Sequence, residues 1–308
     1  MKTVLLLVGA ILITAWPSSA RGQGGTDIYL APLESVEGNL VIGAPVNVTN
    51  RPGYDNQPCF TPDGQSFYFT SIRKGQADIF RYDLERERSV QITRTKDSEY
   101  SPTVMIGSTG FSVVQVEPDS VQRLWEFSPD GKGSNLLIHD IEPIGYHAWA
   151  NRNKVALFVL GEPHVLQLAD VRSGLGVVVA EDIGRSLHKV PGRSSISFTH
   201  RVDDDVWWIK ELNVATRRIR PLVQAVAGSE DYAWTPDGTI LMAEGSTILQ
   251  WSGAGGGWET VKDLGHAMGT ITRMAVSPDG NWLAMVADEV EESSPDNDDK
   301  GNDEESEP

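Results

Sequence analysis

The sequence predicts an all-β chain folded as a six-bladed β-propeller, and three observations carry that prediction. A tight turn, Thr61-Pro62-Asp63-Gly64, returns almost unchanged as Thr235-Pro236-Asp237-Gly238 and Ser277-Pro278-Asp279-Gly280. The residue before each turn belongs to a series, Phe60, Val104, Trp149, Val190, Trp234 and Val276, spaced by 44, 45, 41, 44 and 42 residues. A repeat of that length built from short apolar runs and turns is the mark of a four-stranded propeller blade. Finally, 30 Gly and 17 Pro in 308 residues fit a turn-rich β protein.

Each unit reads as two hairpins. In the first, the turn joins a short apolar stretch to a β-rich one such as Phe67-Tyr68-Phe69, Ile240-Leu241-Met242 or Trp282-Leu283-Ala284. Pro sets φ at the second turn position and Asp-Gly completes the reversal. The second hairpin is clearest in Asp78 to Leu84 followed by Ser89 to Thr93. Ser128-Pro129-Asp130-Gly131 has the same turn chemistry out of phase, which places it between the third and fourth strands of its blade. The same reasoning puts Gly253 to Gly257 in a third-to-fourth-strand turn and Asp203-Asp204-Asp205 at a hairpin tip.

The unit at Val276 stops after two strands, near Ala287, and the missing half stands at the other end of the chain. Asp27 to Leu33 mirrors Asp78 to Leu84, and Pro45 to Thr49 mirrors Ser89 to Thr93, with a longer connection. The N-terminal strands are therefore expected to complete the last blade and close the ring. Residues 26–287 then divide into six blades of about 44 residues.

The segments outside residues 21–287 read differently. Residues 1–20 have a Lys2 start, an apolar run from Val4 to Trp16 and small residues up to Ala20, the pattern of a secretory signal peptide. The run is short for a bilayer span, so no transmembrane segment is expected in the mature chain, which should be periplasmic or secreted. Residues 288–308 hold eleven Asp or Glu and one Lys and are expected to form a disordered acidic tail. The net charge of −17, still −8 over residues 21–287, argues against a nucleic-acid partner. The single cysteine, Cys59, excludes an internal disulfide framework and is expected to be a small buried residue.

The run Tyr54-Asp55-Asn56-Gln57-Pro58-Cys59-Phe60-Thr61-Pro62-Asp63-Gly64, then Phe67 to Ser71, Asp78-Ile79-Phe80 and Gln91-Ile92-Thr93, resembles the repeat of TolB-type propellers, also called PD40 or WD40-like repeats. The same repeat occurs in propellers of the dipeptidyl-peptidase IV and prolyl-oligopeptidase type. Blades one, five and six carry it well, and blades two to four weakly. The resemblance implies the fold; the role of TolB and the activity of the peptidases are not carried over, because their additional domains have no counterpart in this sequence.

No G-x-S-x-G, H-E-x-x-H, P-loop or Rossmann pattern occurs. The remaining candidate site is the channel, lined by the innermost strand of each blade. Residues two to five positions before the marker series should gather there, giving Asp55, Glu99, Tyr146, His147, Arg185, His188, Glu230, Asp231 and Arg273 as candidates for ligand binding. This points first to a non-catalytic binding module, without a cofactor, whose channel mouth and loops meet a protein or peptide partner in the cell envelope. The alternative is a metal-dependent, lactonase-like hydrolase with a divalent cation held by carboxylates and imidazoles in the channel. A closed ring has no structural need to oligomerise, so a monomer is expected.

Overall fold

The computed structural model describes residues 25–36, 39–253 and 255–288. The expected signal peptide, and the expected acidic tail beyond Asp288, lie outside them. The described residues form six antiparallel sheets, and among them there is no helix long and apolar enough to cross a membrane. The innermost strands are Asp55–Phe60, Ser98–Val104, Ile144–Trp149, Ile183–Lys189, Tyr232–Trp234 and Ile271–Val276. Each ends on its marker residue, or one short of it at Val190. They touch one another in chain order around the ring, the last returning to the first.

Closure follows the expected route. Thr26–Val36 pairs with Trp282–Asp288 in an unbroken register from Thr26↔Asp288 to Pro32↔Trp282, and Val46–Asn47 adds the outer strand. The longer N-terminal connection is a hairpin of its own, in which Thr26–Val36 overruns the blade and folds back on Asn39–Ile42. The out-of-phase turn at Ser128 and the glycine-rich turn fall between third and fourth strands, and Asp203 to Asp205 caps a hairpin in blade four.

The recurring turn is built alike each time. In the first copy, Gly64 N–H donates to the Thr61 carbonyl at 2.9 Å, and the Thr61 hydroxyl donates to Asp63 at 2.6 Å. Gly64, Gly238 and Gly280 have φ of 70°, 94° and 77°, the left-handed region that favours glycine.

The core is a ring of six clusters, one at each interface between blades. Strand alternation divides the side chains between them. In the second strand of blade one, Phe67 and Phe69 face blade six, where they join Ile28, Leu30, Ala284 and Val286. Tyr68, between them in sequence, faces blade two and stacks on Phe111 at 4.6 Å. Both faces of these inner strands are buried, so their sequences read as continuous apolar runs. Phe67 is fully buried with ring centroids of Tyr82, Phe60 and Phe69 at 5.2, 5.5 and 5.9 Å. Phe67→Ala should cost about 3–5 kcal/mol of unfolding free energy in denaturant titration. Val202→Ala, at an exposed position, should cost less than about 0.5 kcal/mol; equal costs would contradict the interface core.

Candidate functional site

The inner strands of all six blades surround a central cavity of about 630 Å³. Five of the six carry a β-bulge near their N-terminal end: between Asn56 and Cys59, Tyr100 and Thr103, Ile144 and Tyr146, Ile183 and Leu187, and Ile271 and Arg273. A bulge re-aims the side chains that follow it. In blades one and two it puts Gln57 and Ser101 at φ of 62° and 54°, each just before a proline. The Gln57 amide oxygen accepts hydrogen bonds from the Thr70 hydroxyl and the Ser101 N–H, both at 2.7 Å, and so ties blade one to blade two.

Beyond the bulges, alternation sets the lining. Three residues before the markers stand Gln57, Ser101, Tyr146, Asp231 and Arg273, which form a polar half. One residue before the markers stand Cys59, Thr103, Ala148, Lys189, Ala233 and Ala275, mostly small, which form a waist. Trp149, Trp234, Pro236 and Pro278 line the other end. Cys59, expected to be a small buried residue, is half-buried in this waist, and burial raises its thiol pKa.

Of the nine candidate residues, Tyr146, His147, Arg185, His188, Asp231 and Arg273 line the cavity. Asp55, Glu99 and Glu230 do not. Asp55 and Glu99 precede the bulges of their strands, and their carboxylates are buried between blades. Glu230 lines a neighbouring cleft of about 420 Å³ with Trp207 and Phe158, and reaches Arg185 at 3.2 Å.

The lining groups are engaged. Arg273 lies 3.7 Å from Asp231 and 5.2 Å from the centre of the Tyr146 ring. Burial raises the Asp231 carboxyl, opposed by the Arg273 charge. Tyr54, one residue outside the window read from the sequence, belongs to the same group. Burial pushes its phenol up to about 12, against the pull of Arg273. His147 shares 2.6 Å with the Ser112 hydroxyl, which also accepts from Trp149 Nε1 at 2.8 Å. Blades four and five repeat the device: Tyr232 and Trp234 both donate to Ser197 at 2.8 Å. His188 packs edge-on to Tyr232 at 4.6 Å and meets the Ser186 hydroxyl at 3.0 Å. Burial drives both imidazoles down to about 3, with Arg273 adding to the effect at His188, so both are neutral.

A TolB-type protein from Agrobacterium tumefaciens superposes with a TM-score of 0.68 at 14% identity, covering 87% of this chain and 100% of that one. The fold is that of a TolB-like propeller. TolB from Acinetobacter baumannii gives 0.55 at 12% identity over 85% of this chain, which spans 64% of that protein. An oligogalacturonate lyase from Vibrio parahaemolyticus gives 0.51 at 12% identity, covering 87% of this chain and 99% of that one. No family model and no curated protein sequence matches the chain.

Among the described residues no three His, Cys, Asp or Glu side chains are placed to share a divalent cation. Asp231 is turned to Arg273, Asp55 to Arg51, Glu99 to threonines, and His147 to Ser112.

The blades also explain their own repeat. Thr49 and Thr93 occupy equivalent places, and their hydroxyls accept from the Ile28 and Ile79 amides at 2.9 and 2.8 Å. Each hydroxyl then donates to a carboxylate at 2.9 Å, Asp27 in one case and Glu99 in the other. Nine residues before the marker, the equivalent positions diverge. Arg51 meets buried Asp55 at 2.8 Å, whereas buried Glu99 has Thr95 in that place and, among the described residues, no ion-pair partner. Burial pushes Glu99 up to about 7; the Thr95 and Thr93 hydroxyls pull it down, and Asp78 and Asp97 push it further up.

A carboxyl raised from 4.5 to about 7 on folding holds its proton more tightly in the native state. Its contribution is therefore fully present below about pH 4.5 and is lost as pH rises through about 7, on the order of 3 kcal/mol in all. Urea titrations of the parent and Glu99→Gln at pH 4.5 and 8 should show that the amide removes this loss, making the variant the more stable at pH 8. Parallel pH profiles for the two proteins would contradict the assignment.

Proposed function

We propose that the mature chain is an exported, non-catalytic binding module that takes a segment of a protein or peptide partner of the cell envelope into its channel. The observation that carries this reading is the channel itself. A cavity of about 630 Å³ has a charged and hydrogen-bonding half, a waist of small side chains, and an end walled by Trp149 and Trp234. An extended peptide offers matching chemistry, with main-chain donors and acceptors for the polar half and side chains for the aromatic end. Aromatic anchors in a concave, partly apolar site are where binding free energy concentrates. Export rests on the signal-peptide pattern of residues 1–20.

A photo-crosslinking residue replacing Tyr146 or Trp234 should give a discrete protein adduct in cells, whereas the same residue at exposed Val202 should give none. Adducts of equal yield at all three positions, or none at any, would overturn the proposal.

The hydrolase alternative is separated by heat. A cation bound at a hundredfold excess over its dissociation constant stabilises by about 2.7 kcal/mol, which for a domain of this size is roughly 5–10 °C. EDTA should leave the melting temperature within about 1 °C. A fall of several degrees rescued by one ion would favour the hydrolase.

A further inference from the structure

Charge in the channel runs against the rest of the chain. Residues 21–287 carry 32 acids and 24 bases. The cavity wall carries Arg185, Lys189 and Arg273 against one carboxylate, Asp231. Glu230 offsets Arg185 from the adjoining cleft, and cations remain in excess when it is counted. Neutral His147 and His188 add no charge, and Asp55, buried outside the cavity lining, is paired with Arg51. The cations also have donors to spare. A guanidinium offers five N–H groups, and that of Arg273 faces one carboxylate at 3.7 Å and Tyr146, through its hydroxyl and its ring. Lys189 gives one bond, to the Arg193 carbonyl at 2.5 Å, and is otherwise exposed.

We infer that the channel is a carboxylate-binding site for an acidic peptide segment, with Arg273, Arg185 and Lys189 as its cations. This rests on the channel-binding reading above and specifies the chemistry of the occupant. Charge-assisted bonds from an arginine fork to a carboxylate supply both the attraction and the orientation. Two sources have this chemistry. One is a segment of a partner. The other is residues 289–308 of this chain, which hold ten acids and one lysine. The last strand pairs Val286 with Arg273 and Ala287 with Ile271, so the chain leaves the ring beside the cationic half of the channel.

The test is fluorescence anisotropy on the full mature chain. The probes are a labelled peptide with the sequence of residues 289–308 and a twin with every Asp and Glu replaced by Asn and Gln. The acceptors are the parent and a full-length chain whose residues 289–308 are neutralised in the same way. The neutralised chain should bind the acidic peptide at least about tenfold more tightly than the twin. Arg185→Ala and Lys189→Ala, both exposed, should each weaken it up to about fivefold, and Arg273→Gln about tenfold or more. Binding to the parent about tenfold weaker than to the neutralised chain would make residues 289–308 the source. Equal binding to both would assign the site to a partner segment. The inference is overturned if acidic peptide and twin bind alike, if neither binds, or if the three variants bind as the parent does. A crosslink at Tyr146 that survives such a failure would leave the binding-module reading standing and remove only the acidic class.

Discussion

The pairing of Thr26–Val36 with Trp282–Asp288 is the constraint on which the rest of the molecule depends. It joins residues some 260 positions apart, for which loop closure alone costs about 5 kcal/mol beyond a constant. The return comes from two interfaces at once. The strand's alternate side chains face blade one through Ile28 and Leu30, and blade five through Tyr29, Ala31 and Leu33. Without it, two of the six core clusters lose a wall, and the inner strands lose the circular arrangement that makes a channel. The site is thus a product of closure rather than of any one blade.

Repetition is kept in the backbone and relaxed in the electrostatics. The Thr hydroxyl that satisfies an amide and a carboxylate recurs between blades, as does the Ser that collects bonds from the neighbouring blade's inner strand. The groups around these fixed devices differ. One blade interface buries Asp55 with Arg51, and the next buries Glu99 with threonines. The ring is therefore six-fold in architecture while its polar groups are specialised blade by blade.

Much of this was legible in the residues. The marker series located the ends of all six inner strands to within one residue, because a tight turn must follow each one. The closing strand was legible because Asp27 to Leu33 copies Asp78 to Leu84. The site was less so. Counting two to five residues back from the markers ignored that alternate side chains enter the channel, and it gathered Asp55, Glu99 and Glu230 with residues that do line it. Bulges then shifted the phase. Their one outward sign was a proline after Gln57 and after Ser101. The different fates of Asp55 and Glu99 were written in the aligned column holding Arg51 and Thr95, which becomes meaningful only when those side chains are known to meet the carboxylates.

The place of the seam matters. The break in the chain falls inside the sixth sheet, with Thr26 opposite Asp288, and not between two blades. Joining these neighbouring ends with a short linker and reopening the chain at a blade boundary would give a circular permutant with every sheet covalently continuous. Its ring would be held at the new gap by side-chain packing alone. The natural arrangement adds a ladder of main-chain hydrogen bonds across the gap, so fraying must unpair residues in succession before a slit can form. Resistance to opening is thereby transferred from the shape of one interface to the strength of a strand pair.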